Sequence, residues 1–268
     1  AVAFALLARP GAARAQWYVA PGGNDLNPGT IGAPFATIAH AVGVAATGDV
    51  ILLADGTYAG IGNRQVSFLG KAVTVRSASG RRESCVVRAD GFDGFVFQTN
   101  ETATSVLADL TIIGADQGVA IYGARTRPRL VNCVIDSCAT GVDVSAGGVT
   151  MNDGLVSRCD VGLLARDDAN DLVATGCTFR DNLGPGVRTT GEWTCFGFRG
   201  LQLIDCKLAG NGASGLEHYA MFGGAWVQHR AAQFRSPRAD AIRQRRDVAV
   251  GGEHGPKSRR FSSLGCRG

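Results

Sequence analysis

Short runs of alternating apolar and polar residues recur through the middle of the chain. Cys133–Ile135 and Val142–Val144 are two such runs, and alternation at a period of two places every second side chain on the same face of a β-strand. Glycine, asparagine and aspartate separate the runs, and no run is long enough for an amphipathic helix. The pattern therefore predicts many short strands joined by tight turns.

The runs belong to an internal repeat of five segments. Each segment has a first-column residue, a second-column residue five positions later, and a glycine eight or nine positions after the first. Successive first-column residues are 23, 21, 23 and 29 positions apart. The three columns are Leu110, Cys133, Gly154, Cys177 and Cys206; Ala115, Cys138, Cys159, Asn182 and Asn211; and Gly118, Gly141, Gly162, Gly186 and Gly215.

A repeat of this length predicts a stack of coils, each of which buries a core only against its neighbours. Leucine-rich repeats need a denser leucine pattern and helical-hairpin repeats need longer segments, so neither fits as well. We predict an all-β chain folded as a single-stranded right-handed parallel β-helix, a solenoid whose coils are about 4.8 Å apart.

Composition agrees with one large repeat domain. The 268 residues are 45% hydrophobic and include 38 glycines, which suits a sizeable core with many turns. No run of about 18 apolar residues is present, so no membrane span is predicted. Residues 221–268 hold 10 basic and 3 acidic residues, whereas residues 1–220 hold 17 and 20. The repeat body is therefore mildly acidic, which argues against nucleic acid as a partner.

The two ends of the chain differ from the repeats. Residues 1–15 are largely apolar and end in the small-x-small pattern Ala13–Ala15, so we interpret them as the remainder of a secretory signal peptide. An apolar first strand or cap is the alternative. Residues 16–220 are predicted to form the β-helix, secreted or held in the cell envelope. Residues 221–268 lose the repeat and are interpreted as a basic tail, either disordered or non-native.

The segment 17–58 reads WYVAPGGNDLNPGTIGAPFATIAHAVGVAATGDVILLADGTY. It resembles the entry segment of secreted right-handed β-helix proteins of the pectate-lyase-like superfamily. The matching positions are Tyr18, Val19, Pro21, Gly23, Asp25, Asn27, Pro28, Gly29, Thr30, Pro34, Phe35, Thr37, Ile38, Ala41, Ala45, Gly48, Asp49, Ile51, Leu53, Gly56, Thr57 and Tyr58. With the repeats, the resemblance covers residues 17–219 and implies the fold. It implies no single activity, because that superfamily contains lyases, hydrolases, epimerases and non-enzymes.

The same segment predicts how the stack begins. Apolar residues at helical spacing between Phe35 and Ala46 predict a capping helix over the open end of the stack. Asp25, Asn27 and Thr37 stand where turn and capping bonds are needed, so we expect them to form the cap rather than to act in catalysis. Residues 50–53 are predicted to start the first coil.

Cysteine and asparagine occupy the repeat columns. The chain has eight cysteines, and those in the columns are interpreted as an interior stack of small apolar residues. A disulfide between Cys138 and Cys159, which share a column at a turn, is the alternative for that pair. Asn182 and Asn211 also share a column. They resemble the asparagine ladder of β-helices, in which side-chain amides bond along the stack.

Outward positions are the candidates for function. In the strand after the repeated glycine, Asp143, Arg188 and Glu217 fall in one outward row. We assign Asp143 and Glu217 to substrate binding; a solvated sheet face is the alternative reading of the row. If the chain is catalytic, Arg188 or Lys207 is the expected base, because in the related lyases the base is often Lys or Arg.

Two loops add further candidates. Asp167, Asp168 and Asp171 offer hard oxygen ligands at close spacing, which suits Ca²⁺, although the loop lacks the glycine and glutamate of an EF-hand. A solvated acidic turn is the alternative. The longest coil adds the aromatic side chains Trp193, Phe196 and Phe198, which either stack on sugar rings or fold back over the stack as a hydrophobic cluster.

Two function classes follow from these candidates. The first is a protein that binds a polysaccharide or cell-surface glycan without complete catalytic machinery. The second is a carbohydrate-active enzyme, a Ca²⁺-dependent polyuronate lyase or epimerase. We favour the first, because no catalytic motif of the superfamily surrounds Lys207. The paired carboxylates that a hydrolase needs are also lacking, since Asp167 and Asp168 are adjacent and would point to opposite faces of a strand.

Overall fold

The computed structural model describes residues 14–167, 169–190 and 200–218, and the backbone of three short strands beyond them. The first elements are β1 (Gln16–Val19), α1 (Ile38–Val44), β2 (Val50–Leu53), β3 (Gly56–Ala59), β4 (Val66–Ser67), β5 (Thr74–Ser77), a 3₁₀ helix (Arg82–Ser84), β6 (Cys85–Arg88), β7 (Phe95–Phe97), β8 (Val106–Ala108), β9 (Thr111–Ile113), β10 (Gln117–Tyr122), β11 (Arg129–Val131) and β12 (Val134–Asp136). The others are β13 (Thr140–Ser145), β14 (Val149–Asn152), β15 (Leu155–Ser157), β16 (Val161–Arg166), β17 (Leu172–Thr175), β18 (Thr178–Arg180), β19 (Val187–Thr189), β20 (Leu201–Ile204), β21 (Lys207–Ala209), β22 (Leu216–His218), β23 (Val227–Arg230), β24 (Gln233–Arg235) and β25 (Arg243–Gln244).

The strands stack into three parallel sheets. Sheet 1 contains β1, β2, β5, β8, β11, β14, β17, β20 and β23; sheet 2 contains β3, β6, β9, β12, β15, β18, β21 and β24; sheet 3 contains β4, β7, β10, β13, β16, β19, β22 and β25. Each coil visits sheets 1, 2 and 3 in turn, and each strand pairs in parallel with the strand of the next coil. The predicted all-β parallel β-helix is confirmed.

The strand register confirms the sequence columns. In sheet 2, Val134 pairs with Leu155, Leu155 with Thr178, and Thr178 with Lys207. The residues just before these four strand positions are members of the first predicted column, so that column runs along the stack. The apolar residues after the repeated glycines pair in the same way in sheet 3.

One apolar column from each sheet fills the interior. All of these side chains are buried, and burial of apolar area on this scale is the main force that holds the coils together. The columns are Ile51, Val75, Leu107, Leu130, Met151, Ala174 and Leu203 in sheet 1; Tyr58, Val87, Ile112, Ile135, Val156, Phe179 and Leu208 in sheet 2; and Phe95, Val119, Val142, Leu163, Val187 and Leu216 in sheet 3.

The repeated glycines allow the coils to approach at the corner before sheet 3. At Gly118, a Cβ would lie 2.6 Å from the carbonyl oxygen of Gly141, and at Gly186 it would lie 2.9 Å from that of Gly215. Both distances are shorter than real Cβ contacts. A larger residue in this column would therefore push neighbouring coils apart.

Helix α1 closes the N-terminal end of the stack. It is shorter than the predicted helix and begins after Thr37, whose side-chain oxygen accepts a hydrogen bond from the His40 backbone N–H. Its buried face packs Ile38 and neighbouring apolar residues over the core. At its other end, the Lys71 ammonium donates to three backbone carbonyl oxygens at 2.7–2.8 Å, which satisfies acceptors that a helix end leaves open.

Asp25 secures the start of α1, as the sequence predicted for a capping residue. Its carboxylate accepts hydrogen bonds from the backbone N–H groups of Ala36 and Thr37 and from the Thr37 hydroxyl. Burial acts to raise the pKa of Asp25, but these hydrogen bonds outweigh it, so the pKa lies below its ordinary value. Asn27 donates to the Pro34 carbonyl oxygen at 2.8 Å and stabilises the preceding turn.

The interior cysteines of the described part of the chain are free and buried. The predicted stack of small apolar residues is therefore confirmed, and the alternative disulfide between Cys138 and Cys159 is not formed. Burial raises the pKa of the Cys85 thiol to about 12, so this side chain stays neutral.

Asn182 and Asn211 form the predicted ladder. The Asn182 amide nitrogen donates to the Asn211 side-chain oxygen at 2.9 Å. Asn182 in turn accepts from the Cys159 backbone N–H at 3.0 Å, and Asn211 donates to the Phe179 carbonyl oxygen at 3.1 Å. Both side chains are nearly buried, so the ladder satisfies polar groups that would otherwise be costly.

Strand pairing continues beyond residue 220. Strands β23, β24 and β25 pair in parallel with β20, β21 and β22. The proposed signal remnant, apart from Arg14 and Ala15, and the rest of the predicted tail lie outside the described residues. Among the residues that are described, no helix is long and apolar enough to cross a membrane.

Candidate functional site

The predicted outward row lies in register on sheet 3. Its members are successive partners across four strand pairs: Ala120, Asp143, Leu164, Arg188 and Glu217. The structure thus brings Asp143, Arg188 and Glu217 together on one outer face. At one strand spacing per coil, Asp143 and Glu217 are about 14 Å apart along the stack.

The charges on this face are paired with one another. Arg166 donates from Nε and Nη2 to the two carboxylate oxygens of Asp143 at 3.1 and 3.0 Å. Arg188 makes two contacts of 3.0 Å with Oε2 of Glu217. Both carboxylates are nearly buried, whereas about a third of each arginine side chain is exposed (35% and 34%). The guanidinium groups therefore form the accessible part of each pair.

The pairing with Asp143 affects the titration of Arg166. The hydrogen bond to Asp143 raises the pKa of Arg166, so the guanidinium stays charged at any physiological pH. Arg188, whose sequence-based role is a catalytic base, is held in the same kind of pair by Glu217. In this pair the Arg188 guanidinium serves as a hydrogen-bond donor.

Polar side chains extend the face toward the N-terminal coils. The Tyr122 hydroxyl donates to Oε1 of Gln117 at 2.9 Å, and the Gln117 backbone N–H donates to Asp93 at 3.3 Å. Burial raises the pKa of Asp93, and the negative charges of Asp116 and Asp143 raise it further, against a hydrogen bond that lowers it. Burial also raises the pKa of Tyr122.

Sequence reasoning missed Asp93 because the five aligned segments start at Leu110, and it missed Gln117 and Tyr122 because the outward row took a single residue from each strand. A signal for it exists in the chain. Gly94 and Phe95 repeat the glycine–apolar pair of Gly118 and Val119 exactly one coil earlier, and the two apolar residues pair in register. Extending the columns by one coil would have brought the residues beside Gly94 into the predicted face.

Lys207 lies on a different face from Arg188. It is exposed on the outer side of sheet 2, in the row that contains Thr178 and Leu155, whereas Arg188 lies on sheet 3. The structure does not bring the two candidate bases together. Their catalytic roles stay predictions.

The predicted calcium loop joins sheet 3 to sheet 1. Asp167 accepts from Nη1 of Arg166 at 2.8 Å, and Asp171 accepts from Nε of Arg127 at 2.9 Å. Carboxylates that are already paired with arginine fit a second cation poorly. Within the described residues no group of three or more His, Cys, Asp or Glu is placed to hold a metal ion. Asp168 lies outside those residues, so calcium binding stays a prediction.

The aromatic candidates of the longest coil, Trp193, Phe196 and Phe198, also lie outside the described residues. Within the described residues, the face therefore consists of the sheet 3 strands and the short segments that connect them to sheet 2.

Sequence and structure comparisons identify the family. The profile described as a right-handed β-helix region matches residues 93–230, about half of the chain. The chain belongs to the right-handed β-helix family. A second profile, for a domain described only as a protein of unknown function (DUF1565), matches residues 21–66, which include α1. No curated protein sequence matches significantly.

Solved structures of this β-helix protein's fold include two lyases. The crystal structure of pectate lyase Pel9A has a TM-score of 0.59 and 16% identity, over 87% of this chain and 78% of that one. A rhamnogalacturonan lyase has a TM-score of 0.53 and 14% identity, over 82% of this chain and 62% of that one. At these identities the likeness concerns the fold alone, so function has to be argued from the face on sheet 3.

Proposed function

We propose that this β-helix protein is secreted and binds a polysaccharide along the outer face of sheet 3. The observation that carries the proposal is the presence on one face of two arginines whose side chains are about a third exposed, each fixed by a nearly buried carboxylate. Fixed guanidinium groups present N–H donors in a set direction at little further loss of side-chain entropy, which favours recognition of sugar hydroxyls.

The shape of the face suits a polymer. From β7 to β22 it comprises six parallel strands, or about 24 Å at the usual strand spacing. A linear ligand can therefore contact several coils at once. The polysaccharide-acting enzymes among the structures of similar fold support the same ligand class.

The pairing of charges favours binding over catalysis. The N–H groups of both arginines are engaged as hydrogen-bond donors to carboxylates, an arrangement that suits recognition of acceptor groups on a ligand. The second function class, a Ca²⁺-dependent polyuronate lyase or epimerase, would need chemistry from side chains other than these pairs.

Binding to immobilised and soluble polysaccharides tests the proposal. The double variant Arg188→Gln/Glu217→Gln removes one pair without leaving an unpaired carboxylate, and we expect it to weaken affinity about tenfold. The control is Arg180→Gln/Asp181→Gln, which removes an exposed ion pair at the C-terminal end of β18 in sheet 2 and should change affinity less than about twofold. Equal loss in both variants would contradict the assignment to sheet 3.

A parallel assay addresses the enzyme class. The protein is incubated with polyuronates in the presence of Ca²⁺ or a chelator, and the ultraviolet absorbance of unsaturated sugar ends is followed. We expect no increase. A calcium-dependent increase would establish a lyase and make the loop of Asp167 and Asp171 the first target for substitution.

A further inference from the structure

Two cysteines face each other in adjacent coils at the corner between sheets 1 and 2. Strands β18 and β21 pair so that Thr178 lies beside Lys207. Cys177 and Cys206 come just before these residues, and the Lys207 N–H donates to the Cys177 carbonyl oxygen at 2.9 Å. Partners in neighbouring parallel strands lie about 4.8 Å apart, and disulfides join Cα atoms about 4.4–6.8 Å apart. The backbone therefore holds the pair at a distance that a disulfide spans.

The side chains of the pair approach each other as well. The Cys206 Sγ atom lies 3.3 Å from the carbonyl oxygen of Ala174, which belongs to β17 in the coil of Cys177. The Cys177 Sγ atom lies 3.4 Å from the next carbonyl oxygen of that strand, Thr175. Both sulfur atoms are therefore gathered at the same end of β17, and the two thiols share a hydrogen bond.

The shared hydrogen bond makes the two thiols unequal. It lowers the pKa of Cys206, against burial that raises it, whereas it raises the pKa of Cys177. A thiol with a lowered pKa has more of the thiolate, which is the form that reacts with oxidants. Cys206 is therefore the sulfur that reacts first, and Cys177 is in place to complete the reaction.

Cys133 shows the same column without a partner thiol. It is similarly buried, and its Sγ atom also reaches the preceding coil, 3.5 Å from the Leu107 carbonyl oxygen. Its neighbours in the column, however, are Leu110 and Gly154, and burial raises its pKa to about 12. Cys133 is therefore a neutral core residue and a matched control for the pair.

We propose that Cys177 and Cys206 are a modification site at which hydrogen peroxide forms a disulfide. The Cys206 thiolate attacks one oxygen of the peroxide, the O–O bond breaks, and hydroxide leaves Cys206 as a sulfenic acid. The Cys177 sulfur then attacks the Cys206 sulfur, and the S–O bond breaks to release water. Two thiols and one peroxide thus give one disulfide and two waters, with two electrons passing from the thiols to the peroxide. A small uncharged oxidant suits side chains that are each only 1% exposed.

The disulfide joins the two coils that carry one ion pair of the sheet 3 face. Arg188 lies on β19 in the coil of Cys177, and Glu217 lies on β22 in the coil of Cys206. The bond closes the segment 177–206 and removes conformations from the unfolded chain. Oxidation therefore holds these coils together more firmly, and it does so whether or not the face binds a polysaccharide.

Peptide mapping of the unaltered full chain tests the bond directly. The protein is treated with hydrogen peroxide, its remaining thiols are alkylated in denaturant without a reductant, and the digest is analysed by mass spectrometry. We expect a linked pair of peptides containing Cys177 and Cys206, lighter by two hydrogens than the two free peptides together. Cys133 should be alkylated. A reductant added before alkylation should abolish the linkage.

Thermal unfolding tests the effect on the coils. The melting temperature of the oxidised protein should exceed that of the reduced protein by at least about 5 °C. Cys177→Ala should abolish this increase, whereas Cys133→Ala should retain it. The mapping uses the unaltered chain, so its result does not depend on whether either variant folds.

Three results would overturn the proposal in whole or in part. Alkylation of Cys177 and Cys206 after peroxide treatment overturns the site, and so does linkage of Cys138 to Cys159 alone. A linked Cys177–Cys206 pair without a higher melting temperature overturns the stabilisation of the two coils.

Discussion

Replacing Asn182 by alanine tests how the ladder holds successive coils together. The substitution removes two buried interactions at once: the acceptor for the Cys159 backbone N–H and the donor to the Asn211 side-chain oxygen. The Asn211 oxygen keeps a bond from the Asn182 backbone N–H at 3.2 Å. The Cys159 N–H, by contrast, loses the partner that the side chain supplied.

The magnitude follows from these two losses. A buried N–H without a partner costs about 1–3 kcal/mol, and the loss of a hydrogen bond whose acceptor stays satisfied costs about 1 kcal/mol. We therefore expect the free energy of unfolding to fall by about 2–4 kcal/mol. With a urea slope of about 3 kcal/mol per M, the midpoint should fall by about 1 M.

Urea unfolding followed by circular dichroism measures the midpoint, and hydrogen exchange measures the local effect. The control is Asn152→Ala, which truncates a half-buried asparagine on the outer side of sheet 1 and should shift the midpoint by less than about 0.2 M. In Asn182→Ala the Cys159 amide should also exchange faster. Equal midpoints for the two variants, with the Cys159 amide still protected, would refute the reasoning.

Three further predictions concern other parts of the stack. Gly176 has a φ of +64°, and a Cβ there would lie 2.5 Å from Oδ1 of Asp153. Gly176→Ala should therefore lower the free energy of unfolding, measured by heat or urea, by about 1–2 kcal/mol. The loss should be smaller when Asp153→Gly is also present. The lowered pKa of Asp25 means that its ionised form stabilises the cap above pH 3.8, so the free energy of unfolding should fall as the pH drops below that value. In Asp25→Asn this acid-induced loss should be smaller. The same dependence of stability on pH in the variant and the unaltered protein would contradict the assignment. Lys71→Met removes the ammonium from three carbonyl oxygens at the end of α1. The melting temperature should fall, which corresponds to a loss of about 1–3 kcal/mol in the free energy of unfolding. An unchanged melting temperature would show that the ammonium does not stabilise the helix end.

The columns were predictable from the sequence because a parallel stack places equivalent residues directly over one another. A glycine, a ladder asparagine or a small core residue meets the same neighbour in every coil, so the same constraint recurs at each turn of the chain. Sheet 1 was less visible. Its strands, such as Arg129–Val131, precede the first column, and the segments that lead into them from sheet 3 differ in length from coil to coil.

The chemistry of the face was only partly predictable. Asp143, Arg188 and Glu217 were placed in one row from the alternation of inward and outward residues alone. That Arg166 reaches Asp143 depends on the side chain of one coil crossing to the previous coil, and a pattern of inward and outward positions contains no information on that reach.

The in-register stack has a consequence for how such a face changes during evolution. Each coil contacts only its two neighbours, so a coil can be gained or lost without repacking the others. The distance between the Arg166–Asp143 pair and the Arg188–Glu217 pair can then change only in whole steps of one coil rise, about 4.8 Å. Relatives with a longer or shorter sheet 3 face would therefore differ from this protein by complete coils.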